Sequence, residues 1–328
     1  MTPEAELEGV RIVPYSDAWT EGYVDLSIGS DMRDPLYEQP SRDDVRARLE
    51  LHRSSGLTKA HVLAIEEGRV VGSARVNLVK TCGEAGKAYL SLLVDQEHRG
   101  RGIGGRLLDR VCDAMAAQGV EWVEMGMLDA WRDWRRFLEA RGFEPTNLTS
   151  ADAVFPPDAG IPARLPEVGA AIRPIRLPGD KAQWIEFVNA ERLDDLPDAC
   201  AVRPDGPMHW EVEPRASWFD PEGFLLAVDP DTGELVGSVE ATVVPEEGPR
   251  GIVEGPEVAR QLLDTGLRLR LLFEAVGWLR GKGVTDIRSR IHPSRRDEEA
   301  LFRSAGFSIQ NAATIWRKRT HGSPPKSH

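Results

Sequence analysis

Blocks of apolar residues alternate with turn-forming residues in the first half of the chain. Turn signals at Gly68-Arg69 and at CGEAG (82–86) separate three apolar stretches, HVLAIEE (61–67), VVGSARVNLV (70–79) and KAYLSLLV (87–94). Apolar runs of this length that follow one another across short turns are typical of paired strands. The pattern therefore predicts an antiparallel meander over residues 61–94.

The segments after the meander predict two helices on either side of one more strand. The helical spacing of apolar residues covers RLLDRVCDAMAAQG (106–119), the strand pattern covers VEWVEMGM (120–127), and a second helix ends at Arg141-Gly142-Phe143. Elements in this order predict an α/β (α+β) fold.

The same pattern recurs 164 positions later in the chain. The shift aligns RLLDRVCDAMAAQGV (106–120) with RLLFEAVGWLRGKGV (270–284), and it places Gly142-Phe143 on Gly306-Phe307. One long repeat indicates two copies of a domain, since the units of solenoid proteins run only about 20 to 50 residues. We therefore predict two tandem domains of the same fold.

The repeat also divides the chain. We expect a first domain over residues 1–150, a proline-rich connector over 151–170, a second domain over 171–319 and a disordered tail over 320–328. Proline fixes φ and lacks an N–H donor, so the connector is predicted to be extended, although its early part suits a last strand of the first domain. The second domain includes a predicted hairpin over 224–244.

Length, charge and composition narrow the class of protein. With 328 residues, 41% of them hydrophobic and 29% charged, the chain has the composition of a globular protein of two domains. No apolar run reaches the ~20 residues that cross a bilayer, so we expect a cytoplasmic protein with no membrane partner. The net charge of −12 argues against nucleic acid and favours a cationic substrate.

The cysteines do not suggest a disulfide framework or a metal site. Cys82, Cys112 and Cys200 are odd in number and widely spaced, without a C-x-x-C motif or a histidine pair nearby. We expect buried or free thiols and no metal ion.

The most informative segment is RGRGIGG (99–105), which lies between the last strand of the meander and the helix at 106–119. The first N–H groups of a helix have no partner inside it, and the helix dipole places partial positive charge there. A glycine-rich turn at that position builds a cradle for a diphosphate. Arg99 and Arg101 are predicted to add charge-assisted hydrogen bonds.

Two other phosphate-binding motifs share glycines with this segment, but neither fits it. Gly100, Gly102 and Gly105 satisfy G-x-G-x-x-G, but a dinucleotide-binding fingerprint follows the first strand of a parallel βαβ unit, whereas an antiparallel meander precedes the loop here. A P-loop needs Gly-Lys-Ser or Gly-Lys-Thr after the glycines, and neither is present.

The order of meander, loop, helix, strand and helix resembles the GNAT superfamily of acyl-CoA-dependent N-acyltransferases. The superfamily pattern is Arg or Gln, two residues, Gly, one residue, then Gly or Ala, and Arg99, Gly102 and Gly104 fill it. Gly142-Phe143 also agrees in position. The resemblance implies two tandem GNAT-type domains, each with a mixed central sheet flanked by helices, in a protein that uses acetyl-CoA as acyl donor.

The resemblance also implies which residues contact the coenzyme. The loop holds the pyrophosphate, and the strand that ends at Val94 pairs with the pantetheine arm. The coenzyme-binding residues implied are Leu92, Val94, Arg99, Gly100, Arg101, Gly102, Ile103, Gly104 and Gly105.

The second copy departs from the loop pattern. The 164-residue shift places Leu263 on Arg99, Asp264 on Gly100 and Arg268 on Gly104. An aspartate opposes a diphosphate, and a side chain fills the space where a glycine allows close approach. We predict that this copy does not bind coenzyme, with a new phosphate contact from Arg268 as the alternative.

The chain also departs from the family at the catalytic positions. An amine attacks a thioester only as the neutral base, so the site must accept one proton and return one to the leaving thiolate. The family's usual tyrosine is Leu138 here and Phe302 in the second copy, and its frequent asparagine is Trp131. The candidate substitutes are Tyr89, Ser91 and Glu84.

Other residues have a structural and a functional interpretation. Glu124 is expected at the rim of the site, and Asp129 is expected to cap the next helix. Trp131, Trp134 and Phe137 are predicted as core residues or as the floor of an apolar pocket. The remaining candidates are His98 beside the loop, the acidic segment 193–200, and His209, Trp210 and Glu211.

We expect an enzyme that transfers an acetyl group directly to the primary amine of a small molecule. No cysteine or serine stands in a recognisable nucleophile setting, so no acyl-enzyme is predicted. The alternatives are a sensor that binds acyl-CoA without turnover and an acetyltransferase of proteins or peptides. The sequence is compatible with a monomer or a homodimer.

Overall fold

The computed structural model describes residues 9–30, 41–54, 56, 58–77, 86–195, 219–244, 250–293 and 297–320. Within these ranges the first half of the chain contains four helices, α1 (Thr20–Gly29), α2 (Arg42–Ser54), α3 (Ile103–Ala117) and α4 (Arg132–Ala140). Its strands are β1 (Val10–Pro14), β2 (Thr58–Glu66), β3 (Arg69–Asn77), β4 (Lys87–Val94), β5 (Trp122–Leu128) and β6 (Glu144–Phe155).

Apart from α2, the described residues of the second half repeat this order of elements. Its described helices are α5 (Lys181–Asp195), α6 (Leu267–Gly281) and α7 (Glu298–Ser304). Its strands are β7 (Ala171–Pro174), β8 (Phe224–Val228), β9 (Leu235–Val244), β10 (Arg250–Val258), β11 (Asp286–Ile291) and β12 (Ser308–Arg319). The bounds of α3 and α6 differ by the 164 residues of the sequence repeat.

All twelve strands join one mixed sheet in the order β1-β2-β3-β4-β5-β12-β6-β11-β10-β9-β8-β7. In each half a run of antiparallel strands ends in one parallel pair, β4 with β5 in the first half and β10 with β11 in the second. The predicted meander is confirmed by the antiparallel pairing of β2 with β3 and of β3 with β4. The predicted hairpin over 224–244 is confirmed as β8 and β9.

The two halves exchange one strand each. β6 and β12 hold the same place in the repeat, because their bounds also differ by 164 residues. β12 nevertheless pairs with β5 of the first half, whereas β6 pairs with β11 of the second. At the centre of the sheet the two exchanged strands pair with each other.

The hydrophobic cores follow the exchange. Trp316 of β12, which is 3% exposed, packs in the core that α3 and α4 cover in the first half. Phe155 of β6 is 1% exposed and packs in the core beneath α6 in the second half. On the opposite face of the first half, α1 and α2 pack through Val24 and Leu49 against β2. Each large core therefore contains a strand supplied by the other half.

The predicted boundary between the domains falls inside one of the exchanged strands. The division into domains stays a prediction. Residue 150, the expected end of the first domain, lies inside β6, and residues 151–155 continue that strand. The following residues run over the second half, where Ile161, Leu165 and Val168 pack partly buried on its core. Of the tail predicted over 320–328, residues 321–328 lie outside the described ranges.

Replacement of Trp316 tests whether the exchanged strands couple the halves. We expect Trp316→Ala to lower the free energy of unfolding by about 3–5 kcal/mol, because it empties a large site in a packed core. The second half should lose stability as well, since β12 also pairs with β6. Urea unfolding followed by circular dichroism, together with hydrogen exchange of the α6 amides, measures both effects.

Leu177→Ala is the control for this substitution. Leu177 is 39% exposed, so its loss should change the free energy of unfolding by less than about 0.5 kcal/mol. Protection of the α6 amides that stays at the wild-type level in Trp316→Ala would contradict the coupling.

Candidate active site

A cleft opens where β4 and β5 part. The two parallel strands pair over three positions only, Lys87 with Trp122, Ala88 with Val123 and Tyr89 with Glu124. β5 continues along β12 to Leu128, while β4 continues along β3 to Val94. Residues 90–94 therefore present backbone groups to the cleft with no ladder partner on that side in the described chain.

The predicted phosphate loop lies at the end of β4. Gly100 and Gly102 have φ of +76° and +83°, which places both in the left-handed region that favours glycine. α3 then begins at Ile103, and its first backbone hydrogen bond runs from Arg106 N–H to the Gly102 carbonyl at 3.2 Å. The N–H groups of residues 103–105 precede that bond, and they form the donor end of the helix.

This donor end borders an open groove of about 530 Å³. The groove is lined by Leu92 and Val94 of β4, by the loop glycines and by four residues of α4 and its end, Asp133, Trp134, Phe137 and Arg141. Of the nine residues expected to bind coenzyme, all except Arg101 line it. A Cβ atom added to Gly104 would lie 3.6 Å from the Phe137 ring, so this glycine keeps the groove open at its narrow side.

The two loop arginines are directed at protein groups. Arg101 makes a two-pronged contact with the Glu66 carboxylate, at 2.5 and 3.1 Å, and Arg99 Nε donates to the Val94 carbonyl at 3.1 Å. The hydrogen bond from Arg101 lowers the pKa of Glu66, and the nearby His98 also contributes. Both arginines therefore tie the loop to the sheet, and their contacts with phosphate stay predictions.

His98 links the loop to the same carboxylate. Its Nε2 lies 2.9 Å from Glu66 and its Nδ1 lies 2.7 Å from Asp95. These contacts agree with the expectation that His98 caps or packs beside the loop.

Arg141 was not among the residues predicted from the sequence. Its guanidinium lies against the first turn of α3, where a Cβ atom on Gly105 would be 2.0 Å from Nη2. It also pairs with Asp109 at 3.4 Å and stacks 5.8 Å from the Phe137 centroid. A glycine is therefore needed at position 105 so that Arg141, at the end of α4, can approach α3. This contact joins residues 36 positions apart, so the local sequence pattern does not reveal it.

Tyr89 stands at the point where β4 and β5 part. The residue is 40% exposed, and its hydroxyl oxygen accepts a hydrogen bond from the Gly126 N–H at 2.8 Å. A Cβ atom at Gly126 would lie 2.8 Å from this oxygen, so the contact requires glycine on β5. Glu124 is the strand partner of Tyr89, and Ser91 lies two residues along β4 on the same face.

The other residues singled out in the sequence lie in the core, along the groove or at the end of β5. Leu138 and Phe302 are fully buried core residues, so the family's tyrosine has no replacement at those positions. Trp131, Trp134 and Phe137 are partly buried against the first core, and the last two also line the groove. The expectation that Asp129 caps α4 is wrong, because Trp131 is the N-cap residue and Asp129 accepts a hydrogen bond from Thr314.

Several predicted residues lie outside the described ranges. These are Glu84, the cysteines Cys82 and Cys200, most of the acidic segment 193–200, and His209, Trp210 and Glu211. Cys112 is described, and burial raises the pKa of its thiol to about 11, in line with the expected buried thiol.

The equivalent loop in the second half is covered by the connector. Gly266 has φ of +80°, as Gly102 has in the first half, but a Cβ atom there would lie 2.9 Å from Pro166. Arg270 Nη1 also donates to the Pro166 carbonyl at 3.4 Å, and Arg268, at the place of Gly104, is buried. The backbone of the loop is therefore retained, while the space before α6 is filled.

A polar cluster lies on the face of the first half that α1 covers. His61 stacks on Tyr15 with centroids 4.5 Å apart, and its Nε2 is 3.0 Å from Ser73 Oγ. Arg75 lies beside it, 5.9 Å from the centroid of Tyr23. Burial, assisted by the charge of Arg75, lowers the pKa of His61 to about 3. His61 is therefore neutral at physiological pH.

Among the residues that the structure describes, no group of three or more histidine, cysteine or acidic side chains is placed to hold a metal ion. In the same ranges no helix has the length and apolar character that a membrane crossing requires.

Comparison with known proteins gives the chain's relatives. The model of the acetyltransferase (GNAT) family matches residues 26–143. Mycothiol acetyltransferase of Thermobifida fusca (strain YX) is 28% identical over 290 residues, which are 81% of this chain and 84% of that protein. Mycothiol acetyltransferase of Thermobispora bispora is 29% identical over 279 residues, which are 80% of this chain and 89% of that protein.

Solved structures resemble the whole chain. A GCN5-related N-acetyltransferase from Sphaerobacter thermophilus superposes with a TM-score of 0.71 at 20% identity, over 99% of this chain and 98% of that one. A tandem GNAT protein from the clavulanic acid biosynthesis pathway superposes with a TM-score of 0.72 at 18% identity, over 96% of this chain and 100% of that one. At these identities the likeness concerns the fold.

The lowered pKa of His61 makes stability depend on pH. The unfolded chain binds a proton near pH 6.5, whereas the folded chain does so only near pH 3, so stability is complete above about pH 6.5 and falls as the pH drops. We expect His61→Gln to remove up to about 1.4 kcal/mol per pH unit of this dependence. Urea unfolding between pH 4.5 and 7.5 measures it, and equal slopes in both proteins would contradict it.

Proposed function

We propose that this chain is an acyltransferase that acetylates the primary amine of a small molecule, since the model of the acetyltransferase (GNAT) family matches residues 26–143 and the whole chain has the fold of a tandem GNAT protein. Enzymes of this family use acetyl-CoA as donor. The observation that carries the proposal is the junction of an unpaired strand edge, a helix donor end and an open groove at residues 90–105.

The groove residues suit the diphosphate of the donor. The N–H groups of residues 103–105 supply hydrogen bonds at the positive end of α3, where a diphosphate is favoured. Residues 90–94 supply backbone groups that match the amides of a pantetheine arm. Trp134 and Phe137 supply apolar area beside the loop, with ring centroids 5.5 Å apart.

We assign coenzyme binding to the first half alone. Its loop faces an open groove, whereas Pro166 and Arg268 take up the equivalent space in the second half. The second half then has a structural role in the site, because its strand β12 completes the sheet beside β5.

The donor supplies an activated acyl group, and the protein must handle two protons. The amine nitrogen forms a bond to the carbonyl carbon as the carbon–sulfur bond breaks, so nitrogen loses a proton and sulfur gains one. Tyr89 is suited to give the second proton, because its hydroxyl group is a proton donor at the point where β4 and β5 part, and Gly126 N–H donates to its oxygen and fixes its position. Acceptance of a backbone hydrogen bond also stabilises the phenolate that remains.

The carboxylate of Glu124 is the described group best placed to accept the proton from the amine. It is the strand partner of Tyr89 at the last rung before the cleft, and its side chain is 16% exposed. Lys87 Nζ lies 4.0 Å away. Ser91, on the same face, remains a candidate for holding the amine.

A small-molecule acceptor is favoured by the relatives. Those with the name mycothiol acetyltransferase cover most of this chain, and their name connects acetyl transfer with mycothiol, a small molecule.

An assay of thiol release tests the proposal. The full-length protein is incubated with acetyl-CoA and a panel of small amines, and free CoA thiol is followed against a control without protein. We expect release to depend on a small primary amine. Transfer to peptides alone would select a protein acetyltransferase, and tight CoA binding without any release would indicate a sensor. Either result overturns the proposal.

Insertion of a carboxylate in the loop tests where the donor binds. We expect Gly104→Glu to weaken CoA binding at least about 100-fold, because a negative charge then faces the diphosphate at the donor end of α3. Its Cβ atom fits with contacts no closer than 3.5 Å, so the fold should persist. Isothermal titration calorimetry measures the affinity and circular dichroism the fold.

Gly281→Glu is the matched control for the charge. Gly281 also lies in a helix, α6, and a Cβ atom there meets nothing within 4 Å. The affinity of the Gly281→Glu variant for CoA should equal that of the wild type. Equal losses at both positions would show that the charge acts at long range or that the assigned loop is wrong.

Removal of one phenol oxygen tests the role of Tyr89. We expect Tyr89→Phe to lower kcat about 100-fold with little change in KM for acetyl-CoA, since the ring stays and only the proton donor is lost. Steady-state kinetics measure both constants. Ser91→Ala, two residues along the same face, should reduce kcat far less, and the reverse ranking would move the proton donor to Ser91.

A further inference from the structure

Arg75 lies in the middle of β3, on the face that α1 covers, and it is 8% exposed. Its Nε is buried without an acceptor, and among the described residues neither a hydrogen bond nor an ion pair reaches the guanidinium. The contact that the structure does show is with the Tyr23 ring, 5.9 Å away. Within the part of the chain that the structure describes, Arg75 is thus a buried cation with an aromatic neighbour and no counter-ion.

The acidic groups of the helices packed on this face are paired elsewhere. Glu21 of α1 pairs with Arg42 and Arg46 at 2.9 and 2.7 Å, and its side chain is 60% exposed. Asp25 of α1 pairs with Arg42 at 2.5 Å and is 65% exposed. The polar groups near Arg75 on its own face are uncharged, namely His61, Ser73, Tyr15 and Tyr23.

A buried charge without a partner is costly, so folding alone does not favour an arginine here. The guanidinium has five N–H donors in a planar fork that matches a carboxylate. A single positive charge among neutral groups is balanced by a single negative charge. A carboxylate therefore fits this cluster better than a phosphate dianion.

Arg75 is close to the proposed reaction site. It is the strand partner of Ser91 on β4, and the next pair on the same face joins Asn77 to Tyr89. Side chains on directly paired residues lie about 4.5–5.5 Å apart at Cβ. An amine held beside Tyr89 and Ser91 would thus place a group a few bonds away within reach of Arg75.

We infer that Arg75 binds a carboxylate of the acceptor, so that the acceptor is an amino acid or another amine with a carboxylate a few bonds from its nitrogen. This inference rests on the proposed function, and it names the class of acceptor. Arg75 determines which acceptor is used and takes no part in the proton transfers, since it holds the carboxylate from β3, one strand away from the reacting nitrogen beside β4.

Matched acceptors test the inference. The full-length protein is assayed for thiol release with glycine, β-alanine and γ-aminobutyrate, with alkylamines of the same chain lengths, and with the corresponding aminoalkylphosphonates. We expect one amino acid to exceed its alkylamine about 10- to 100-fold in kcat/KM, as one charge-assisted contact provides. In Arg75→Met this ratio should fall close to one.

Arg69→Met is the control, since Arg69 begins the same strand and its side chain is 70% exposed. Its ratio should stay at the wild-type value. Preference for the phosphonates, or an equal ratio in the wild type and Arg75→Met, overturns the inference.

Stability separates a binding role from a structural one. Arg75→Met should unfold at the same urea concentration as the wild type or a higher one, because it removes an unpaired buried charge. A large loss of stability with unchanged specificity would assign Arg75 to the core.

Binding separates this inference from the proposed function. Calorimetric titration of the CoA-bound protein with the three amino acids measures affinity without turnover. Binding that Arg75→Met abolishes, in a protein that releases no thiol, would keep the inference and overturn the proposed function. Thiol release from alkylamines alone would do the opposite.

Discussion

The parting of β4 from β5 is the constraint on which the rest of the site depends. β5 pairs with β4 at three positions but with β12 at seven, so the stronger ladder holds it to the side away from β4. The unpaired edge of β4 leads directly into the loop before α3, which places backbone donors along one continuous line. Since β12 comes from the second half, the shape of the cleft depends on both halves of the chain.

The two halves show how one backbone supports different surfaces. Gly102 and Gly266 adopt nearly the same left-handed conformation, and α3 and α6 begin directly after them. The difference is in what lies before each helix: open space in one case, Pro166 in the other. The loop conformation therefore persists in the second half although the connector packs against it, because the turn is also needed to start the helix.

The sequence predicted local structure well, because strand alternation, helical spacing and left-handed glycines are properties of neighbouring residues. The meander, the start of the glycine loop near α3 and the repeat are all confirmed. The repeat could not predict the exchange of β6 and β12, since identical patterns do not specify which half a strand joins. Arg141 and Arg75 were missed because their settings depend on residues far away in the chain, as do the partners of Arg101.

The strand exchange also determines how late in synthesis the sheet of the first half can be completed. β5 ends at Leu128, but the strand that covers its edge ends at Arg319. At about 5–20 residues per second, the ribosome needs roughly 10–40 s to translate the residues between them. During that interval the emerging first half carries an uncovered sheet edge, which is a template for misassembly between nascent chains. The sheet of the first half is thus complete only after translation has passed β12, although every other strand of that half was made long before.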